Sequence, residues 1–167
     1  TTDIEFGTEG DRGSWVRIRN VPPYLAAEGI EIDVPGFGRL KVDVAYGGNY
    51  YAIIEPQGPY IGLEALGASR IVDLSRTIRS LMQAAYEPVH PVDDRIRGIS
   101  HVMWTDRPKG EGADGRNAVF YGERAIDRSP CGTGTSARMA QLVAKGRLQV
   151  GDHFVHESYI CSPVIAP

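Results

Sequence analysis

Asp127-Arg-Ser-Pro-Cys-Gly-Thr-Gly-Thr-Ser-Ala-Arg-Met-Ala-Gln-Leu-Val-Ala-Lys-Gly-Arg147 divides into a turn of small residues and a helix, and this division organises the rest of the chain. The helical body, Thr135 to Arg147, carries Ala137, Met139, Ala140, Leu142, Val143 and Ala144. Apolar residues around so much of the circumference place it in the middle of a domain. In front of it, residues 131 to 134 should leave main-chain N–H groups unpaired at the positive end of the helix dipole, which makes the junction an anion site. Glycine allows a ligand to approach the main chain closely, because no Cβ intervenes. A cysteine at this point has its thiolate stabilised by the same N–H groups, so Cys131 is sited for proton exchange.

Upstream the pattern is that of β structure. The runs 15–21, 30–34, 40–45 and 50–54 alternate apolar and polar residues, and Pro22-Pro23, Pro35-Gly36-Phe37-Gly38 and Gly47-Gly48-Asn49 separate them as turns. From Ser69 the period lengthens. Ile71, Leu74, Ile78, Leu81, Met82 and Ala85 form a helical stripe that ends before Pro88. Strand-like runs return at 98–104, 118–121 and 124–126, around a polar surface loop from Pro108 to Asn117. Many short, mostly antiparallel strands with two helices, one of them strongly apolar, predict an α/β (α+β) domain.

Bulk properties narrow the function. At 167 residues and 42% hydrophobic, the chain can build one core without metal or disulfide. Eighteen basic against 21 acidic residues give a net charge of −3, without blocks of either sign, so neither nucleic acid nor a membrane is an expected partner. No stretch is long and apolar enough to span a bilayer, and the chain is expected to be cytoplasmic. Cys131 and Cys161 read as free thiols in a reducing compartment. No metal site is expected.

Position alone leaves a reactive and a structural Cys131 both open. A nucleotide P-loop would end in Gly-Lys-Ser/Thr, whereas Ser136 is followed by Ala137 and Arg138. A phosphate-binding module using the 131–134 turn remains a distinct class. A thiol protease would need a designated histidine base, and none of His90, His101, His153 and His156 has a spacing that designates it.

The segment 127–138 resembles the second cysteine motif of the proline racemase and 4-hydroxyproline 2-epimerase family. Asn20-Val-Pro, Val34-Pro-Gly, the run Val42-Asp-Val-Ala-Tyr-Gly-Gly-Asn-Tyr-Tyr-Ala52 and His156-Glu-Ser158 agree with the same family. The resemblance implies a two-lobed enzyme with the diaminopimelate epimerase fold, each lobe a curled, mostly antiparallel sheet around a central apolar helix. Each lobe supplies one cysteine, with the small-molecule substrate between them and no cofactor. It implies Cys131 as one acid/base thiol, Gly132 and Thr133 as donors to the substrate carboxylate, Asp127 as partner of the ring nitrogen, and Tyr121 as a candidate wall of the ring pocket. Tyr121 reads equally well as a strand-surface residue.

Trans-3-hydroxyproline dehydratases carry threonine at the second cysteine position, so Cys131 points to racemisation or epimerisation. Within that pair, Cys131 to Ala140 is most similar to the hydroxyproline epimerases. The family's first motif, of Met-Cys-Gly-His type, does not occur in this sequence, so the chain reads as a single lobe, 1–167, expected to be inactive alone. Residues 159–167 diverge from the family and suggest a truncated tail, and Cys161 within it has no assigned role. A homodimer is among the assemblies expected, and a non-catalytic fragment serving as a ligand-binding or interaction module is the competing class.

Overall fold

The computed structural model describes residues 3–166; Thr1, Thr2 and Pro167, the outer ends of the expected lobe and of its tail, lie outside the described residues. A hairpin of β1 (Asp3–Glu9) and β2 (Arg12–Arg19) precedes β3 (Tyr24–Val34), β4 (Gly38–Tyr46) and β5 (Tyr50–Ile54). Helix α1 (Leu63–Ala85) leads to β6 (His101–Asp106), β7 (Gly115–Tyr121) and the short β8 (Ala125–Ile126). Helix α2 (Gly132–Ala144), β9 (Phe154–Glu157) and β10 (Pro163–Ala166) complete the chain.

The main sheet runs β10-β9-β7-β6-β5-β4-β3, with β8 beside β7. Pairing is antiparallel except at β5·β6 and β7·β9. Each parallel pair is joined by a crossover containing a helix, as parallel neighbours require. The mixed, mostly antiparallel class read from the sequence is the class observed. Two bulges in β3 bend that edge until it touches both helices, which lie on opposite faces of the sheet.

Period-two alternation decides which helix each side chain meets. Ala52, Ile54, Val102, Trp104, Ala118 and Phe120 face α1 in the larger core with Ile71, Leu74, Ile78 and Met82. Each large side chain buried there contributes about 1.5–3 kcal/mol. Trp104 also satisfies its indole N–H by donating to Ser75 Oγ at 2.8 Å. The alternate residues Tyr51, Ile53, Met103 and Val119 face α2 in a smaller core with Ala45 and Ala137.

The structure departs from the sequence reading at several elements, among them β7, which begins at Gly115 inside the expected surface loop and buries Arg116 and Asn117. Helix α1 begins at Leu63, and Gly67 at φ 71 breaks it, so the stripe from Ser69 is its second and longer part. Strands β1 and β10 carry too few buried positions to announce themselves, β9 is buried but only four residues long, and β10 gives part of the divergent tail an edge-strand role. Helix α2 starts three residues earlier than its apolar pattern and is covered on one side only. Its buried face includes Arg138 and Gln141, while Val143 is 36% exposed.

That inversion has an electrostatic cause. Arg138 reaches Glu55 at 2.8 Å, Gln141 donates to Asp43, and Lys145 and Arg147 join the same two carboxylates. Burial alone would raise the Glu55 pKa, but the guanidinium groups of Arg138 and Arg147 overcome it and hold the carboxyl at about 2. Paired charges can occupy the interior face, which frees the apolar residues for the outside.

Candidate active site

The 127–136 segment folds around a single strained residue. Asp127 Oδ1 accepts from both the N–H and the hydroxyl of Ser129, at 2.9 Å each, and Ser129 Oγ accepts from the Cys131 N–H at 3.1 Å. This chain of bonds carries the backbone into Cys131 at φ 64, ψ 106, a conformation that costs a non-glycine residue about 1–3 kcal/mol. The first intrahelical bond runs from the Thr135 N–H to the Cys131 carbonyl at 2.7 Å. The N–H groups of Gly132, Thr133 and Gly134 therefore have no partner within the helix, and no side chain caps it.

The β4–β5 turn seats the start of this helix. A Cβ on Gly47 would lie 2.2 Å from the Thr133 carbonyl oxygen and 2.6 Å from Ala137 N, and one on Gly48 would lie 2.9 Å from Thr133 Cγ2. Asn20 fastens the same joint, since its Nδ2 lies within bonding distance of the Gly47 carbonyl at 2.7 Å and Ser136 Oγ at 2.8 Å. The separate stretches Asn20-Val-Pro and Gly47-Gly48-Asn49 thus converge on the first turn of α2.

The sheet supplies the other wall. Tyr51, His101 and Tyr121 stand in register on β5, β6 and β7, on the face that α2 covers farther along. The Tyr51 hydroxyl is 2.6 Å from Thr133 Oγ1 and 3.3 Å from Cys131 Sγ. The His101 ring packs tilted at 4.8 Å from the Tyr51 ring and lies nearly parallel to that of Tyr121 at 6.5 Å. Burial, helped by the charge of Arg79, lowers the His101 pKa below its usual value, against a weaker opposing pull from Asp127. Tyr121 is 43% exposed at the end of this row.

Of the residues expected from the sequence, Cys131, Gly132 and Thr133 form one unit and Asp127 is tied to it through Ser129. Tyr121 is linked to it only by way of Tyr51 and His101. Sequence reasoning missed both of those. Their signal is faint, a tyrosine on the odd phase of a buried strand and one histidine among four, and only the parallel β5·β6 register brings them together. No group of three metal-ligating side chains is gathered among the described residues.

Behind the cysteine lies a second, buried cluster. His156 Nδ1 is 3.0 Å from Thr135 Oγ1 and 3.2 Å from Asn117 Nδ2, and Asn117 Nδ2 also donates to the Pro130 carbonyl at 2.8 Å. His156 thereby braces the turn that precedes Cys131. Burial, with a contribution from the Arg138 charge, depresses its pKa to about 3.

The folded protein therefore keeps this ring neutral while the unfolded chain protonates it near 6.5. The resulting stability is complete above about pH 6.5 and is lost as pH falls from there toward 3. His101, shifted in the same direction, adds to the loss. We expect unfolding free energy to drop by roughly 2–4 kcal/mol between pH 7 and pH 4.5, before Glu55 begins to titrate. Urea titrations at both pH values, with His156→Asn as reference, measure it; an equal pH slope in the variant refutes the assignment.

Comparison with known proteins places this architecture. The proline racemase family model matches residues 1–164, nearly the whole chain. The chain belongs to the proline racemase family. Its match extends past Ser158, where the motif resemblance stops, into β10.

Two similar relatives of the proline racemase family are the 4-hydroxyproline 2-epimerases of Paracoccus denitrificans, 54% identical, and Shewanella loihica, 49% identical. These alignments cover 96% and 97% of this chain but 48% and 49% of the relatives. A crystal structure of a hydroxyproline epimerase from Agrobacterium vitis with bound trans-4-hydroxy-L-proline aligns with a TM-score of 0.88 at 30% identity. It covers 98% of this chain and 47% of that one. The chain spans about half the length of the curated proline racemase relatives it matches.

Proposed function

We propose that this chain supplies one catalytic half of a cofactor-independent epimerase, with 4-hydroxyproline as the substrate and Cys131 as acid/base for one face of Cα. The observation that carries the reading is the seating of Cys131 before three unpaired N–H groups, on the face where Asp127, His101 and Tyr121 gather. The trans-4-hydroxy-L-proline bound by the Agrobacterium vitis relative supports the hydroxylated substrate over proline. Cys131 supports epimerisation over dehydration.

In this mechanism the Cys131 thiolate removes the Cα proton and becomes a thiol. The electron pair left on Cα delocalises into the substrate carboxylate, whose growing charge is held by the N–H groups of Gly132 and Thr133. Asp127 commits Oδ1 to Ser129, so Oδ2 can take the ring nitrogen. His101 and Tyr121 wall the ring side. Inversion also requires a proton delivered to the opposite face, and a thiol on that side is the natural donor.

The sequence places one such thiol at this site, so the purified chain should not interconvert the 4-hydroxyproline epimers or the proline enantiomers. Chiral chromatography after prolonged incubation tests this, and turnover by chain free of any homologue would sink the two-base mechanism. In the same preparation iodoacetamide near neutral pH should alkylate Cys131 faster than the more exposed Cys161. Equal rates would count against a catalytic role for Cys131.

A further inference from the structure

Tyr51 is fully buried, and its ring packs against Gly134, where a Cβ would come within 3.2 Å of Cε1, and against His101. Phenylalanine would fill that space equally well. The hydroxyl therefore has another reason to be there. It lies 2.6 Å from Thr133 Oγ1 and 3.3 Å from Cys131 Sγ, and Thr133 Oγ1 is itself 3.7 Å from the sulfur. Among the described residues these two hydroxyls are the only hydrogen-bond partners of that sulfur.

We propose that Tyr51 is the positioning residue of Cys131: with Thr133 it forms a two-hydroxyl relay that fixes the sulfur and turns a proton toward it in the thiolate state. The proposal rests on the reading of Cys131 as an acid/base thiol. Counting protons shows how the relay serves both states. With a thiolate, Thr133 donates to Tyr51 and Tyr51 donates to sulfur. With a thiol, S–H donates to the Tyr51 oxygen, Tyr51 donates to Thr133, and the Thr133 hydroxyl turns toward the sulfur 3.7 Å away. Both states satisfy every polar hydrogen by rotating hydroxyls, without moving a heavy atom.

Two further features agree. Burial, and next the adjoining Cys131, raise the Tyr51 pKa well above that of an ordinary phenol, so Tyr51 keeps its proton and acts through the sulfur. The strained backbone at Cys131 needs an external anchor to keep the side chain aimed, and the relay is that anchor. The other titratable groups facing the cluster are His101 from β6, Tyr121 from β7 and Asp127 from the turn. Helix α2 has no acidic residue in its first turn. None of these makes a hydrogen bond to the sulfur.

The test is the pH dependence of Cys131 alkylation by iodoacetamide, measured on the full chain in a Cys161→Ser background. Tyr51→Phe removes one charge-assisted hydrogen bond and should raise the half-maximal pH by about one unit, roughly a tenfold loss of reactive thiolate below the midpoint. Site-specific replacement of Tyr51 by 3-fluorotyrosine, a stronger donor of nearly the same shape, should lower it. A purely structural tyrosine would not move the midpoint in opposite directions. An unchanged midpoint in Tyr51→Phe that keeps its circular dichroism and thermal transition overturns the proposal; if that variant fails to fold, an unchanged midpoint with 3-fluorotyrosine does so. Because no substrate is present, shifted midpoints alongside absent epimerase activity in the complete enzyme would reject the functional reading and leave the relay standing.

Discussion

Replacing Cys131 by serine in a complete enzyme that contains this lobe should abolish epimerisation in both directions, by about 10³-fold or more in kcat. One epimer loses the base that takes its proton, and the other loses the acid that returns it. A serine hydroxyl keeps the shape but has far too high a pKa to exchange protons near neutrality. Binding should survive better than turnover, because the carboxylate donors are main-chain N–H groups that the substitution leaves in place. Pyrrole-2-carboxylate, a flat mimic of the carbanion, should therefore still bind the Cys131→Ser enzyme. Asp127→Ala should behave in the contrary way, weakening substrate binding while both thiols remain. Isothermal titration and initial rates in each direction separate these outcomes. Near-normal turnover by Cys131→Ser in either direction would return Cys131 to a structural role.

Gly47→Ala should be the most damaging single substitution for the architecture of the site. The new methyl would arrive 2.2 Å from the Thr133 carbonyl oxygen and 2.6 Å from Ala137 N, and both are helix backbone that cannot turn aside as a side chain can. Either the β4–β5 turn or the start of α2 must move. Overpacking of this kind costs about 3 kcal/mol or more, which for a chain of this size lowers Tm by about 10 °C. Displacing α2 also drags Thr133 away from Tyr51, so the fold that remains should show a changed Cys131 reactivity. Gly13→Ala is the control, because a Cβ there meets nothing within 4 Å. Differential scanning calorimetry of the two variants decides the matter, and equal transition temperatures would mean that the turn is not seated on α2.

These expectations draw on different levels of information. The fold class was legible because local chemistry is consistent over short spans. Period-two runs bounded by glycine and proline turns became β3, β4 and β5, and the stripe from Ile71 to Met82 became the long part of α1. The shape of the candidate segment was legible for a similar reason. A cysteine, two glycines and a helix in immediate succession can place a thiol before unpaired N–H groups without help from distant residues.

Burial of α2 was less legible, because its interior face is polar. Arg138 and Gln141 are stable there only through Glu55 and Asp43, residues 83 and 98 positions away. Side-chain periodicity cannot register such partners. Strands β9 and β10 were hidden for a related reason: each is four residues long and is defined by what it pairs with.

By itself, then, the sequence determined the class of fold, the turn that holds Cys131 and the chemistry that such a turn can perform. Tertiary structure alone decided the rest of the site. Tyr51 and His101 lie 80 and 30 positions before the cysteine, and neither spacing carries a local signal. Parallel pairing of β5 with β6 sets the two rings together, and the Gly47-Gly48 turn presses α2 down onto them until a phenol meets a thiol. Contacts of that kind follow from strand register and close backbone approach, which are properties of the folded whole.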